Sequence, residues 1–204
     1  HSKRLGHEVT ILSALPLGDV SQVETMDDVV VHRFPWGRHP VGSLLFRAAQ
    51  TLFGMARVLR EFKPDVVYIH FCSINALWVL LLHCVMKFKM IPSCRGNDIQ
   101  GIPQRSALQR WMLHRLFSRA DAILFCSSYV QRDAAPYLRR VRSDAYVGVV
   151  GDGFNADEFQ GRAPFVYASP YLLGMGRLVE KKGFDLLIRA FASLSNEFSN
   201  HHLL

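Results

Sequence analysis

Short β-branched runs alternate with amphipathic segments along most of this chain, and that order limits the folds it can adopt. Strands are predicted at residues 8–13 and 29–34, before a helix over about 42–62 that Lys63-Pro64-Asp65 ends. Strands and helices then alternate over the ranges 65–70, 74–88, 90–94, 104–119, 122–126, 128–140 and 145–150. Because parallel strands need crossover connections, the pattern predicts an α/β fold with a doubly wound parallel sheet, whose strand at 65–70 is buried.

The alternation stops at a turn-rich stretch, residues 151–170, which we interpret as a linker between two domains. It restarts with a strand at Tyr171–Leu173, a loop with glycines and a helix over about 182–198. One β–α unit cannot bury its own faces, so we expect the second domain, residues 171–204, to be only begun. The first domain, residues 1–150, is expected to be mostly present but to lack its first strand.

The charge of the chain is uneven along its length. The formal net charge is +7, and residues 1–150 hold 19 Lys and Arg against 11 Asp and Glu. This excess suits an anionic partner, either nucleic acid or an acidic membrane surface, and scattered solvated arginines are the alternative. The longest apolar stretch, residues 74–86, is too short to cross a bilayer, and no signal-peptide pattern is present. We therefore expect a cytoplasmic protein.

The cysteines and histidines lack the spacing of metal ligands. Four cysteines lie in or beside apolar runs, where small thiols pack well: Cys72, Cys84, Cys94 and Cys126. They are expected to be structural, and no metal site is expected.

The loop after the strand at Tyr171–Leu173 has features of a phosphate-binding site. It supplies Gly176 and two cations, Arg177 and Lys182, and Gly183 then precedes a helix. A strand-to-helix loop at the carboxyl edge of a parallel sheet presents backbone N–H groups and a positive helix end to phosphate. The guanidinium offers a rigid fork and the ammonium a mobile point charge, so the pair can close on one diphosphate. The alternative is two surface cations beside a routine turn.

Residues 171–191 resemble the second domain of the family 4 retaining glycosyltransferases, which opens with a strand, G-R-L, then K-G and an acidic residue before a helix ending A-F. Arg177, Lys182 and Gly183 match those positions, and Asp185, Leu187 and Ala190-Phe191 follow in order. In that family the Arg and Lys hold the donor's diphosphate and stabilise the leaving nucleoside diphosphate. The resemblance therefore implies that Arg177 and Lys182 are catalytic, with Gly176 and Gly183 lining the donor site.

Weaker matches extend this resemblance over nearly the whole chain. They are Gly6–Val9, Lys63–Val67, Ser127–Val130 and Arg95-Gly96-Asn97-Asp98. Relatives commonly carry His-Gly-x-Asp at the last of these, near the donor sugar. A guanidinium is not a general base at neutral pH, so we expect Arg95 and Gly96 to contact an anionic donor or acceptor. Asp98 either bonds a sugar hydroxyl or caps the next turn. His70 either lines the acceptor cleft or is an ordinary strand-end histidine.

The resemblance implies two Rossmann-like domains of the GT-B type, with the acceptor on the side of the first. It implies transfer of a sugar from a nucleotide-sugar to a lipid-linked, polysaccharide or other acceptor, with retention of configuration. The chain contains no Asp-x-Asp, so we expect neither a metal nor a cofactor. We also expect the 204-residue chain to be inactive by itself.

Two other classes of function stay open at this stage. Gly174-x-Gly176 after a strand is typical of nicotinamide-dependent oxidoreductases, but Val179 stands where their third glycine belongs. A basic non-enzymatic module that binds nucleic acid or acidic lipid would account for the charge, although no binding motif supports it. We expect no nucleic-acid partner, and peripheral contact with the inner face of an anionic membrane stays an alternative.

Overall fold

A computed structural model describes residues 5–14, 23–34, 44–153, 156–161, 163, 166–194 and 196–204 of the chain. The chain divides into two compact units, residues 1–153 and residues 154–204. We call them unit 1 and unit 2 and describe each by itself. The interpreted linker, residues 151–170, includes residues 154, 155, 162, 164 and 165, which lie outside the described part.

Unit 1 begins with a small mixed sheet. Strand β1 (Thr10–Ala14) pairs in parallel with β3 (Val29–Phe34), and β2 (Val23–Met26) pairs with β3 in antiparallel fashion. The turn between β2 and β3 places Asp27 and Asp28 at φ 47° and 62°. Two left-handed residues match the twist of a tight hairpin, and Asp tolerates this region better than most residues. Strand β2 was not predicted, because it has only four residues and its two polar residues, Glu24 and Thr25, are adjacent, so it lacks the apolar–polar alternation of a half-buried strand.

A second sheet holds four parallel strands in chain order: β4 (Val66–His70), β5 (Lys89–Cys94), β6 (Ala122–Phe125) and β7 (Tyr146–Val149). The predicted parallel α/β arrangement is confirmed for these strands. Among the described residues the first domain holds two separate sheets, because β1 pairs only with β3 and β4 only with β5. All four carboxyl ends of the second sheet lie at the same edge.

Seven helices are described in unit 1: α1 (Leu44–Phe62), α2 (Ala76–His83), α3 (Asn97–Gln100), α4 (Ile102–Arg105), α5 (Ala107–Arg119), α6 (Ser128–Asp133) and α7 (Ala135–Leu138). The helix predicted over 104–119 is broken at Ser106, which is extended and accepts a hydrogen bond from the Gln109 N–H. The one predicted over 128–140 is divided in two before Pro136. No helix in the described ranges is long and apolar enough to span a membrane.

The core of unit 1 lies between helices and the face of the second sheet. Its largest fully buried apolar side chains are Met55, Met90, Met112, Leu113, Leu116, Phe117, Ile123 and Phe125. Gly54 of α1 packs against the Phe34 ring so closely that a Cβ there would lie 2.6 Å from a ring carbon. The prediction that β4 is a buried strand is wrong for alternate residues. Ile69 is buried, whereas Val66 and Tyr68 are exposed, because successive side chains point to opposite faces.

Unit 2 contains one strand–helix–strand motif. Strand β8 (Tyr171–Leu172) pairs in parallel with β9 (His202–Leu203), and α8 (Phe184–Ser193) lies between them in the chain. The helix predicted over 182–198 begins only at Phe184, because Gly183 adopts a left-handed φ of 65°. None of the described hydrophobic side chains of unit 2 is buried. This unit therefore differs from unit 1 in having no closed core among its described residues.

Candidate active site

The carboxyl edge of the β4–β7 sheet brings together residues that are far apart in the chain. Strand β4 ends at His70, β5 is followed by Arg95, and Asp152 comes three residues after β7. Ligands of open parallel sheets bind at this edge, because loops from neighbouring strands converge there. The edge therefore places His70, Arg95 and Asp152 where a bound molecule would meet them.

The turn after β4 is held in an uncommon backbone conformation. Phe71 has φ 67°, a left-handed value that a bulky residue rarely adopts. Its N–H donates to the Ser93 carbonyl at 3.0 Å, and the Cys72 carbonyl accepts from Gln109 Nε2 at 2.5 Å. Such a conformation costs on the order of 1–3 kcal/mol and persists where surrounding contacts determine it. The turn thus leads the chain abruptly away from β4 beside the site.

Asp98 ties the ends of β4 and β5 together. Its side chain is fully buried, and Oδ2 accepts the Cys72 N–H at 2.9 Å while Oδ1 accepts the Arg95 N–H at 3.0 Å. Gly96, at φ 112°, provides the turn that lets Asp98 reach back to Arg95. Both donors precede Asp98 in the chain, so these contacts join the ends of β4 and β5, and a cap on the next turn stays a prediction. A direct bond from Asp98 to a sugar hydroxyl stays a prediction.

Asp98 also belongs to a buried cluster that the sequence spacing did not reveal. Ligand atoms of Cys72, Cys94 and Asp98 lie within 4.8 Å of one another, and the two sulfurs are 3.8 Å apart. A hydrogen bond with Cys94 and burial raise the pKa of the Cys72 thiol well above its usual range, so this thiol stays protonated at neutral pH. Cys72 Sγ also faces the Ser93 carbonyl at 3.9 Å. The group therefore has hydrogen-bonding partners of its own without an added ion.

Arg95 is partly exposed and contacts both His70 and Asp152 at this edge of the sheet. Its Nη1 forms an ion pair with Asp152, and its Nη2 lies 3.5 Å from His70 Nδ1. Its Nε is buried and has no hydrogen-bond partner among the residues that the structure describes. Sequence reasoning missed the Arg95–Asp152 pair, because 57 positions separate the two residues. The structure thus places His70 and Asp152 beside the Arg95–Asp98 loop, and the binding roles expected for Arg95, Gly96 and Asp98 stay predictions.

In unit 2, close packing explains the first glycine of the predicted phosphate loop. The Gly174 N–H donates to the Leu204 carbonyl at 2.8 Å. A Cβ at Gly174 would lie 3.0 Å from Leu187 Cδ2 and 3.3 Å from the Phe184 ring. These distances are tighter than ordinary van der Waals contact, so a side chain at Gly174 would require Leu187 and Phe184 to shift by a few tenths of an ångström.

The cations of this loop are exposed. Lys182 ends a 3₁₀ turn (Glu180–Lys182), and its Cδ would lie 3.9 Å from a Cβ built at Gly176. Within the described part of the chain, neither Arg177 nor Lys182 forms a side-chain ion pair, so both charges are free to meet an anion. Gly183 then starts α8. The structure therefore brings Gly176, Lys182 and Gly183 together, with Arg177 adjacent in sequence.

Comparison with known proteins decides the family. Residues 2–147 match the model of the glycosyl transferase 4-like domain, which covers more than half of the chain. The chain belongs to this family. The match confirms the resemblance found in the sequence, and it includes the Arg95–Asp98 loop. It ends before Arg177, so the roles of Arg177 and Lys182 stay predictions.

Relatives of this glycosyl transferase 4-like chain include both sequences and solved structures. It is 22% identical over 176 residues to the uncharacterized glycosyltransferase MJ1059 of Methanocaldococcus jannaschii, covering 78% of this chain and 43% of that protein. The chain thus spans less than half the length of this relative.

Two solved structures share its fold at low sequence identity. A sucrose-phosphate synthase from Thermosynechococcus elongatus is 14% identical, with a TM-score of 0.53 over 77% of this chain and 82% of that chain. A UDP-forming α,α-trehalose-phosphate synthase from Burkholderia xenovorans is 12% identical, with a TM-score of 0.61, and the match covers 95% of this chain and 63% of that chain. The predicted α/β fold of the GT-B type is confirmed by this likeness.

Proposed function

We propose that this chain is part of a glycosyltransferase that moves a sugar from a nucleoside-diphosphate donor to an acceptor. The family supports glycosyl transfer over the oxidoreductase and basic-module alternatives. The observation that carries the donor assignment is the loop of residues 174–183, where two exposed cations without an ion-pair partner among the described residues lie beside a glycine-lined helix start. This arrangement suits a diphosphate because the two cations, the backbone N–H groups beside the glycines and the amino-terminal end of α8 all lie in the same loop.

In this proposal the leaving nucleoside diphosphate is stabilised by Arg177, Lys182 and the amino-terminal end of α8. Negative charge develops on the diphosphate as the glycosidic bond breaks, and cations already in position stabilise that charge. The Lys182 side chain runs beside Gly176, where a Cβ built on the glycine would lie 3.9 Å from Lys182 Cδ. The acceptor binds at the carboxyl edge of the β4–β7 sheet, near Arg95 and Gly96, with Asp98 holding their backbone. Transfer proceeds with retention and without a divalent metal.

The first test removes each cation from the complete enzyme. Arg177→Ala and Lys182→Ala should each lower turnover with a matched nucleotide-sugar by about a hundredfold or more, since each removes transition-state charge stabilisation. Lys182→Arg should keep only part of the activity, because the planar guanidinium of arginine and the compact ammonium of lysine differ in geometry. Lys181→Ala is the matched control, since Lys181 is an exposed neighbour in the same turn. Equal kinetics for Lys181→Ala and Lys182→Ala would remove the diphosphate assignment.

The metal-free mechanism has its own test on the same enzyme. Transfer should continue in EDTA, because side chains and a helix end neutralise the leaving group. Complete loss in EDTA with recovery in manganese or magnesium would contradict it. The 204-residue chain serves as a comparison, and we expect no sustained release of nucleoside diphosphate from it, since unit 2 has no buried core among its described residues.

We further propose that contact with an anionic membrane uses a basic groove at the opposite edge of the sheet. A cavity of about 870 Å³ there is lined by Arg60, Lys63, Lys87 and Lys89, with Asp65 as its one acidic residue. Each exposed cation near an anionic surface adds to binding. Lys87→Ala with Lys89→Ala should reduce sedimentation with phosphatidylserine vesicles, whereas Lys181→Ala should not. Unchanged sedimentation of the double variant would contradict this assignment.

A further inference from the structure

The guanidinium of Arg95 has hydrogen-bonding capacity that its described partners do not use. Asp152 contacts Nη1 through one carboxylate oxygen, and His70 lies at the outer limit of a hydrogen bond from Nη2. Arginine recognises anions best when two parallel N–H groups meet two oxygens. The contact with Asp152 uses one oxygen only, so a phosphate or carboxylate placed across the fork would be bound better.

The base of Arg95 is rigid while its head remains accessible. Asp98 accepts the Arg95 N–H, and the side chain of Arg95 is 27% exposed at the carboxyl edge of the sheet. A fixed backbone reduces the entropy that is lost when the side chain binds a ligand. Arg95 is therefore preorganised for an anion that arrives from solvent.

Asp152 is held loosely by comparison. Its side chain is 70% exposed, and glycines flank it on both sides. Cβ atoms built at Gly151 and Gly153 meet no heavy atom within 4 Å. Exposed ion pairs are weak because water and salt screen them. The uncrowded loop can therefore withdraw Asp152 when a stronger anion competes for Arg95.

We propose that Arg95 and His70 form a subsite for a phosphate or carboxylate group of the acceptor, and that Asp152 occupies this subsite when no ligand is bound. Arginine only donates, so a hydrogen bond from Arg95 to His70 Nδ1 requires the His70 tautomer that carries its proton on Nε2. That Nε2–H is a second donor beside the fork. The identity of the anion as part of an acceptor rests on the proposed function, whereas anion binding itself does not.

The test titrates the 204-residue chain with inorganic phosphate and follows binding by NMR. Asp152→Asn should raise the affinity about two- to fivefold, the gain expected when an exposed competing ion pair is removed. Arg95→Gln should lower it at least about tenfold, and the double variant should behave like Arg95→Gln, because Asp152 acts only through Arg95. His70→Ala should weaken binding by a smaller factor.

Asp144→Asn is the matched control. Asp144 also forms an exposed ion pair with an arginine, Arg142, so its replacement makes the same change in net charge, while Arg142 keeps Asp121 as a second carboxylate partner at 3.4 Å. Phosphate affinity should not change in this variant. An equal gain in Asp144→Asn, or no loss in Arg95→Gln, would overturn the subsite.

Further ligands distinguish the source of the anion and keep this proposal separate from the donor assignment. If a sugar phosphate binds more tightly than a uronic acid, and Arg95→Gln abolishes binding of both, the acceptor carries a phosphate. If the uronic acid binds more tightly under the same conditions, the acceptor carries a carboxylate. A nucleoside diphosphate should depend on Arg177 and Lys182 instead. If binding of the nucleoside diphosphate depends on Arg95 alone, the acceptor subsite is wrong. If it depends on none of the three, the donor assignment fails while phosphate binding at Arg95 stands.

Discussion

Unit 1 and unit 2 differ in how much of their apolar surface is removed from water. Unit 1 encloses Leu116, Phe117 and Phe125 completely, whereas Leu186 and Ile188 of unit 2 are 64% and 58% exposed. Leu116 lies in α5 and Leu186 in α8, and each of these helices connects two parallel strands. Of these two helices, α5 has enough surrounding strands and helices to cover its apolar side chains, whereas α8 does not. The comparison shows that helix amphipathicity does not produce a core unless neighbouring layers are present.

The charged residues of the candidate site also differ between the two units in how many protein contacts hold them. In unit 1, Asp98 fixes the backbone of Arg95, and Asp152 pairs with its side chain. In unit 2, Arg177 and Lys182 have no ion-pair partner among the described residues. Unit 1 thus holds its charged groups in place before a ligand binds. In unit 2, an anionic ligand would itself provide the partner for the cations.

The same leucine truncation in both units tests the comparison most strongly. Leu116→Ala should reduce the free energy of unfolding by about 2–5 kcal/mol, because a fully buried side chain leaves a cavity. Leu186→Ala should change it by less than about 0.5 kcal/mol, since the side chain is already in water. Urea unfolding followed by circular dichroism measures both. Similar losses in the two variants would show that the units are equally well packed.

A second substitution sharpens the comparison at the site. Asp98→Asn should destabilise unit 1 by about 1–3 kcal/mol, because a buried carboxylate that accepts two backbone N–H groups becomes an amide. Asp133→Asn is the control, since Asp133 is exposed and accepts one bond from Gln100. Its effect should stay below about 0.5 kcal/mol. If both variants unfold at the same urea concentration, Asp98 does not hold the loop.

The smallest expected difference concerns ion pairs. Glu24→Gln removes a pair with Arg33 whose side chains are 27% and 15% exposed, and should cost about 0.5–1.5 kcal/mol. Asp185→Asn removes the exposed pair with Arg189 at 3.4 Å in α8, and should cost less than about 0.5 kcal/mol. Thermal unfolding at low and high salt measures both. A larger salt-sensitive loss for Asp185→Asn would reverse the ranking of the two units.

Most strands and helices could be predicted from the sequence because their signals are local. Strand β3 was predicted at its observed bounds, and β4 to β7 lie within two residues of their predicted ends. Helix ends were less accurate, since Ser106 and Gly183 cap helices through backbone conformations that periodicity does not show. The division into two sheets was missed, because strand pairing is a long-range contact.

The family, the α/β fold class and the candidate phosphate loop were inferred from the sequence by itself. Their signals are the alternation of strand and helix patterns, the turn residues and the glycine–cation loop, and each of these depends on residues that are close together in the sequence. The partners of Arg95 were decided only by tertiary structure. Asp152 is 57 positions away, and Cys72, which shares Asp98 with Arg95, is 26 positions from Asp98. They meet because parallel strands end at one edge, where loops from distant parts of the chain converge.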